Sequence, residues 1–195
     1  VNAAMAAKAA ESAKAAAADN NAGAAETNDD VAHLTAKLAE LSGGAKSLAG
    51  VLHQSQGSAF TAGLIHAIGI LVMHIAMPDR MVPLNISTPP LDLNRAEAER
   101  AAFGYTYAEV GAGMVEKWQF PVEMVSALGN QLSPFEGEAY DPLAGVLHLA
   151  SWRARAEELQ LDENGLLASF PDMVGLTLGL IYLQTSATVA VDNLL

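Results

Sequence analysis

The sequence predicts an all-α chain, a multi-helix bundle without an evident sheet. Apolar residues recur at three- and four-residue intervals from Val31 onwards, and the punctuation between these runs is that of helix ends, with Ser, Thr, Asn or Asp before them and Gly or Pro after. No stretch alternates Val, Ile or Thr with polar residues as a half-buried strand would.

Taken in order, residues 2–18 are mostly Ala with Lys8, Glu11 and Lys14 interspersed, a composition that favours helix but offers only methyl groups to a core. Asp19-Asn20-Asn21-Ala22-Gly23 then reads as a stop. Residues 1–26 are therefore expected to be a loosely attached helix or linker, and 27–195 the main helical domain. Val31, Leu34, Leu38 and Leu41 predict a helix from Asp29 to Leu41, closed by Ser42-Gly43-Gly44, with a second short helix over Ala45–His53. Ser58 can cap one uncharged helix running to Ala76. Pro78, Pro83 and Pro89-Pro90 predict a long irregular surface loop.

Asn94 and Glu97 have capping-box spacing and open a helix that Gly104 ends near Phe103. Thr106 and Glu109 repeat the device, opening a helix expected to present Tyr107, Val110, Met114 and Trp118 along one side. Pro121 begins the next helix. Asp141-Pro142 opens a helix through Trp152 to Leu159, Asp162-Glu163-Asn164-Gly165 predicts a turn, and a last apolar helix is expected over Pro171–Val191.

Composition narrows function. With 10 Lys+Arg against 22 Asp+Glu, the formal charge of -12 repels nucleic acid and anionic lipid. There is no cysteine, hence no thiolate metal site or Cys nucleophile, and no secretory leader is evident, so the cytoplasm is the expected compartment. Ser58–Pro78 and Met173–Val191 approach membrane-spanning length, but His66, His74 and Thr61 interrupt the first, and Thr177, Gln184, Thr185, Ser186 and Thr188 the second; buried core helices are expected. No phosphate-binding glycine loop, Gly-x-Ser-x-Gly elbow or EF-hand loop occurs.

Among single residues, His66 on an apolar helix reads as a core histidine, and His33, His53, His74 and His148 form no i, i+4 pair able to clip zinc. Tyr107 reads as a core aromatic, and Trp118 and Trp152 as packing anchors.

Several segments carry a family resemblance. Ala59-Phe60-Thr61-Ala62-Gly63-Leu64-Ile65-His66-Ala67-Ile68-Gly69 resembles the signature of HD-superfamily proteins, with Ala67 where the paired Asp is found. Glu99, Phe103-Gly104, Tyr107-Ala108-Glu109-Val110-Gly111 and Trp118-Gln119-Phe120-Pro121 resemble the hallmark of the HDOD domain, a degenerate relative of the HD metal-dependent phosphohydrolases, with Tyr107 where His is usual. Ala127–Pro134 resembles a segment bearing a His-His pair, here Gln131 and Leu132. Leu143–Ala150 resembles a helix ending in Ala-Asp, with Ser151 for the Asp, and Thr27 aligns with a further His.

The resemblance implies a site in which His66 survives while Thr27, Ala67, Tyr107, Gln131, Leu132 and Ser151 replace ligands, with no catalytic residue, no metal and no other cofactor. Glu99, Trp118 and Pro121 recur in the pattern without being ligands, which for Glu99 implies a buried carboxylate that caps or pairs within the fold, with Arg95 or Arg100 as partner. The family carries an N-terminal helical lobe before this region, of which residues 1–26 would be a divergent remnant. The implied function is a non-catalytic bacterial signal-transduction domain, acting through a protein partner or by ligand sensing, without nucleic acid or membrane and compatible with self-association. An active metal-dependent phosphohydrolase taking nucleotides or phosphodiesters, and a purely structural helical module, are the alternatives.

Overall fold

The computed structural model describes residues 35–90, 92, 94–136 and 140–180. The chain divides into two compact units, Val1–Leu38 and Ala39–Leu195. Of the first, only 35–38 are described, as helix; Thr27 and the Ala-rich opening lie outside the described residues.

The second unit is helical, with no strand among the described residues. Its first helix, α1, covers residues 39–51. The expected break at Gly43-Gly44 does not occur. Leu41, Ser42, Ala45, Leu48 and Ala49 form one buried stripe across the glycine pair, and burial of that stripe outweighs a cost of about 1 kcal/mol per glycine. His53, at φ 55°, ends the helix instead.

The expected single helix over 58–76 is two: α2 (Gln56–Ile65) and α3 (Ile68–Ala76), separated at His66-Ala67. Ser55, not Ser58, caps α2, its hydroxyl accepting from the Ser58 amide. Nor are these helices wholly buried. Gln56–Ala76 is long and apolar enough to cross a membrane, yet only Ala59, Ala62, Gly63, Gly69 and Met73 are buried, while Leu71 and Ile75 are 59% and 84% exposed. Gly69 fixes the placement of α3: a Cβ there would run into the Tyr107 carbonyl.

The expected proline loop is largely helical. Pro78 takes the first position of α4 (Pro78–Ser87), where its missing N–H costs nothing, and Pro83 sits inside it. Complete burial of Met81, a hydrogen bond from Arg80 to the Ala102 carbonyl (2.7 Å) and the Arg80 guanidinium 4.6 Å over the Phe103 ring hold the helix against its proline.

α5 (Arg95–Phe103) ends at Gly104 in the left-handed region as expected, but Asn94 makes no side-chain cap; Asp92 accepts from the Asn94 amide instead. α6 (Tyr107–Lys117) has the full capping box, Glu109 accepting from the Thr106 amide at 2.7 Å. Its inward face is Tyr107, Ala108, Gly111 and Val115, not the line through Val110, Met114 and Trp118. Trp118, expected as an anchor, is 50% exposed, tilted against Phe120 past the last turn of α6.

α7 (Val122–Asn130) follows Pro121, and α8 (Pro142–Glu158) opens on Asp141, which accepts from the Ala144 amide. Asp162, expected in a turn, caps a short α9 (Glu163–Ser169). The expected final helix does not run unbroken: α10 (Asp172–Thr177) ends in a turn to Leu180, with Gly179 in the left-handed region at φ 74°, and from 181 on that expectation lies outside the described residues.

α7 lies between α6 and α8, α2 packs on α7 and α8, α3 on α6, α4 on α3, and α10 on α8. The main core joins α1, α2, α7 and α8, with Trp152 and Phe170 meeting edge to face at 5.1 Å. A second cluster, Met73, Met81, Tyr107 and Ala108, lies between α3, α4 and α6.

Candidate functional site

The break between α2 and α3, the start of α6, the end of α7 and one face of α8 supply the residues singled out by sequence. His66 caps α2 at its C-terminal end, and its Nδ1 donates to the Gly63 carbonyl at 2.8 Å, which leaves Nε2 as an acceptor in the neutral ring. Burial, aided by the charge of Arg155 and opposed by the Gly63 bond, pushes this imidazole down to about 4.

Gln131, just past α7, ties the pieces together. Its Nε2 donates to the backbone carbonyls of His66 (2.9 Å) and Leu128 (3.0 Å), and its own backbone carbonyl accepts from His148 Nδ1 at 2.8 Å. The Gln131 Oε1 and Ser151 Oγ atoms are buried without a hydrogen-bond partner. Leu132 packs against the second apolar cluster beside Tyr107.

His148, Ser151 and Arg155 are spaced three and four residues apart and so share one face of α8. The Arg155 guanidinium donates to the Tyr107 hydroxyl at a long 3.4 Å and makes no ion pair among the described residues. Its charge is felt at three groups. Burial holds the His148 imidazole below its usual value and Arg155 adds to that; burial raises the Tyr107 phenol while Arg155 pulls it down. Sequence reasoning missed both Arg155 and His148 as members of this cluster; the signal available was their spacing from Ser151 on a helix that Asp141-Pro142 already marked.

Glu99 belongs to a neighbouring network. Its Oε1 meets Arg95 Nε at 2.7 Å, both side chains fully buried, and its Oε2 accepts from the Tyr107 backbone amide at 2.7 Å. Arg95 reaches on to Asn85 Oδ1 and the Thr88 carbonyl, and Asn85 Nδ2 donates to His74 Nε2. The pairing is thus with Arg95; Arg100 turns outward to Glu109. Glu99 fixes the start of α6, and with it Tyr107, by binding an amide that no helical carbonyl can reach. Pro121 serves as the N-cap of α7, and Trp118 lies on the surface away from the cluster.

A divalent ion needs several oxygen, nitrogen or sulfur donors. Among the described residues no three His, Cys, Asp or Glu side chains converge. Ala67 and Leu132 have no donor, and Arg155 brings a positive charge to the group. The donor set among the described residues does not fit a metal.

A family profile described as the HDOD domain matches residues 10–134, well over half of the chain. The chain belongs to the HDOD family. The matched span starts within the Ala-rich opening and ends before α8, so the HDOD pattern covers His66, Tyr107, Gln131 and Leu132 but not His148, Ser151 or Arg155. A crystal structure from Shewanella amazonensis SB2B, of a protein provisionally named a phosphohydrolase, superposes with a TM-score of 0.63 at 23% identity over 81% of this chain. The match spans 56% of that protein, so this chain accounts for little more than half of its length. The likeness establishes a shared helical fold. No curated protein matches the chain.

Proposed function

We propose that this HDOD chain is a non-catalytic regulatory domain of bacterial signal transduction, lacking the metal centre of its HD relatives and working by sensing a ligand or engaging a protein partner. The observation that carries the reading is Arg155: a guanidinium without an ion pair among the described residues stands beside Tyr107 and within electrostatic reach of His66 and His148, where hydrolysis would call for a metal-bound water. A fixed cation cannot replace that water. A cysteine-free, strongly acidic sequence is in keeping with a cytoplasmic setting away from nucleic acid.

The second reading, an active phosphohydrolase, is favoured by the provisional name of the Shewanella protein alone. Elemental analysis of the purified chain with a phosphodiester and nucleotide turnover assay separates the two. The proposal expects neither stoichiometric metal nor turnover; bound Mn, Fe or Mg together with turnover abolished in His66→Ala overturns it. Because Val82, Pro83, Ile86, Ser87 and Pro89 are exposed, loss of a captured partner on altering residues 83–93 would distinguish signalling from a purely structural module.

A further inference from the structure

The cluster around Arg155 has an unusual balance of unused hydrogen-bonding capacity. Three part-exposed side chains, His66, His148 and Arg155, surround three buried ones, Tyr107, Gln131 and Ser151. Both imidazoles commit Nδ1–H to backbone carbonyls, so each neutral ring keeps an Nε2 lone pair, and Gln131 Oε1 is a third acceptor without a partner. On the donor side, Arg155 uses one of five N–H groups in a long contact, and Ser151 Oγ is unpartnered. Glu99, the acid whose charge reaches Tyr107, is already held by Arg95.

Each simple ligand class fails on one side of this inventory. A divalent cation meets the guanidinium. A fully ionised dianion meets three lone pairs. An apolar group strands Gln131 Oε1 and Ser151 Oγ, and a buried polar atom left unpaired costs about 1–3 kcal/mol. An anion that carries its own O–H or N–H donors satisfies both sides at once.

We infer that His66, Gln131, His148, Ser151 and Arg155 form a binding site for a small monoanion bearing its own hydrogen-bond donors, a hydroxycarboxylate or a protonated phosphate. Arg155 takes the anionic oxygens in its planar fork, Ser151 adds a donor, and the imidazole Nε2 atoms and Gln131 Oε1 take the ligand's hydrogens. The charge of -12 does not forbid this, because exposed charges are screened beyond about 8 Å at physiological salt while Arg155 acts at contact. The inference rests on the non-catalytic reading above and gives it a ligand class.

The test follows the ring resonances of His66 and His148 by NMR in the whole chain at about pH 7, above the ordinary imidazole value that burial holds both rings below. Glycolate, inorganic phosphate, acetate as the donor-free control and Mn2+ alone are titrated separately. The expected result is a saturable shift with glycolate or phosphate, at least about tenfold weaker with acetate and in Arg155→Gln, with Arg155→Lys in between. Glycolate alone would mark a carboxylate site and phosphate alone a phosphate site; either supports the shared chemistry. A thermal melt of each variant verifies folding, and Ser151→Ala, which leaves the charge in place, should weaken binding several-fold. Affinity unchanged in folded Arg155→Gln, acetate binding as tightly as glycolate, or no shift with any anion overturns the inference while leaving the non-catalytic reading standing. Stoichiometric broadening of both histidines by Mn2+ overturns both.

Discussion

His66 makes the chain sensitive to acid in a way that can be calculated. Its imidazole titrates at about 4 in the folded state against 6.5 in an open chain. Above the open-chain value neither state binds the proton and His66 contributes nothing to the pH dependence. As pH falls from 6.5 towards 4 the unfolded chain gains a proton that the folded chain refuses, so stability is lost across that window and levels off below it. Linkage gives a loss of about 2.5 kcal/mol at about pH 4.5, within a ceiling of about 3.4 kcal/mol for the full shift. His148, depressed by the same burial and the same guanidinium, acts with the same sign. The clean comparison is His66→Asn, whose amide can still donate to the Gly63 carbonyl but cannot titrate. Urea unfolding of both proteins at intervals between about pH 7.5 and 4.5 should show wild type losing about 2.5 kcal/mol more than the variant. Carboxylates with lowered values, such as Glu109, lose their contribution in acid equally in both and cancel. Parallel pH profiles would refute the buried, neutral imidazole on which the site description depends.

Three further perturbations address the elements that position the site. Glu99→Gln leaves the Arg95 guanidinium buried without its counter-charge, and urea denaturation should report a loss of about 3–5 kcal/mol. Gly69→Ala drives a methyl group into the Tyr107 carbonyl, so α3 or α6 must move; a loss of at least about 2 kcal/mol is expected, seen as a melting temperature lower by about 4–8 °C. Pro83→Ala restores an N–H inside α4 and should stabilise the fold by about 1 kcal/mol, measured the same way; a fall in stability would mean that the proline ring itself packs usefully.

Much of the helical punctuation was legible because its causes are local. Thr106 and Glu109 bind each other's amides within one turn, Gly104 takes a left-handed φ of 84°, and Asp141-Pro142 combines a cap with a proline where no N–H is needed. The misreadings share the opposite cause. Gly43-Gly44 and Pro83 weaken a helix by amounts that buried neighbours, the Leu41/Ala45/Leu48 stripe and Met81, can offset, and no local rule records that offset. The inward face of α6 is set by the close approach of α3 through Gly69, which selects small residues at 108 and 111 over the larger Val110 and Met114.

The site divides along the same line. Family resemblance pointed to His66, Tyr107, Gln131 and Ser151, and the fold brings all four together although they come from four different helix ends and faces. Resemblance compares this sequence with a family's ligand pattern, so it registers replaced ligand types and says nothing of Arg155, which lies beyond the matched span. Burial does most to keep both imidazoles neutral, and the charge of Arg155 acts in the same direction on each. With both Nδ1–H groups given to backbone carbonyls, each neutral ring keeps Nε2 as an acceptor. Glu99 completes the arrangement from behind, since the amide it binds is that of Tyr107, whose hydroxyl in turn receives Arg155.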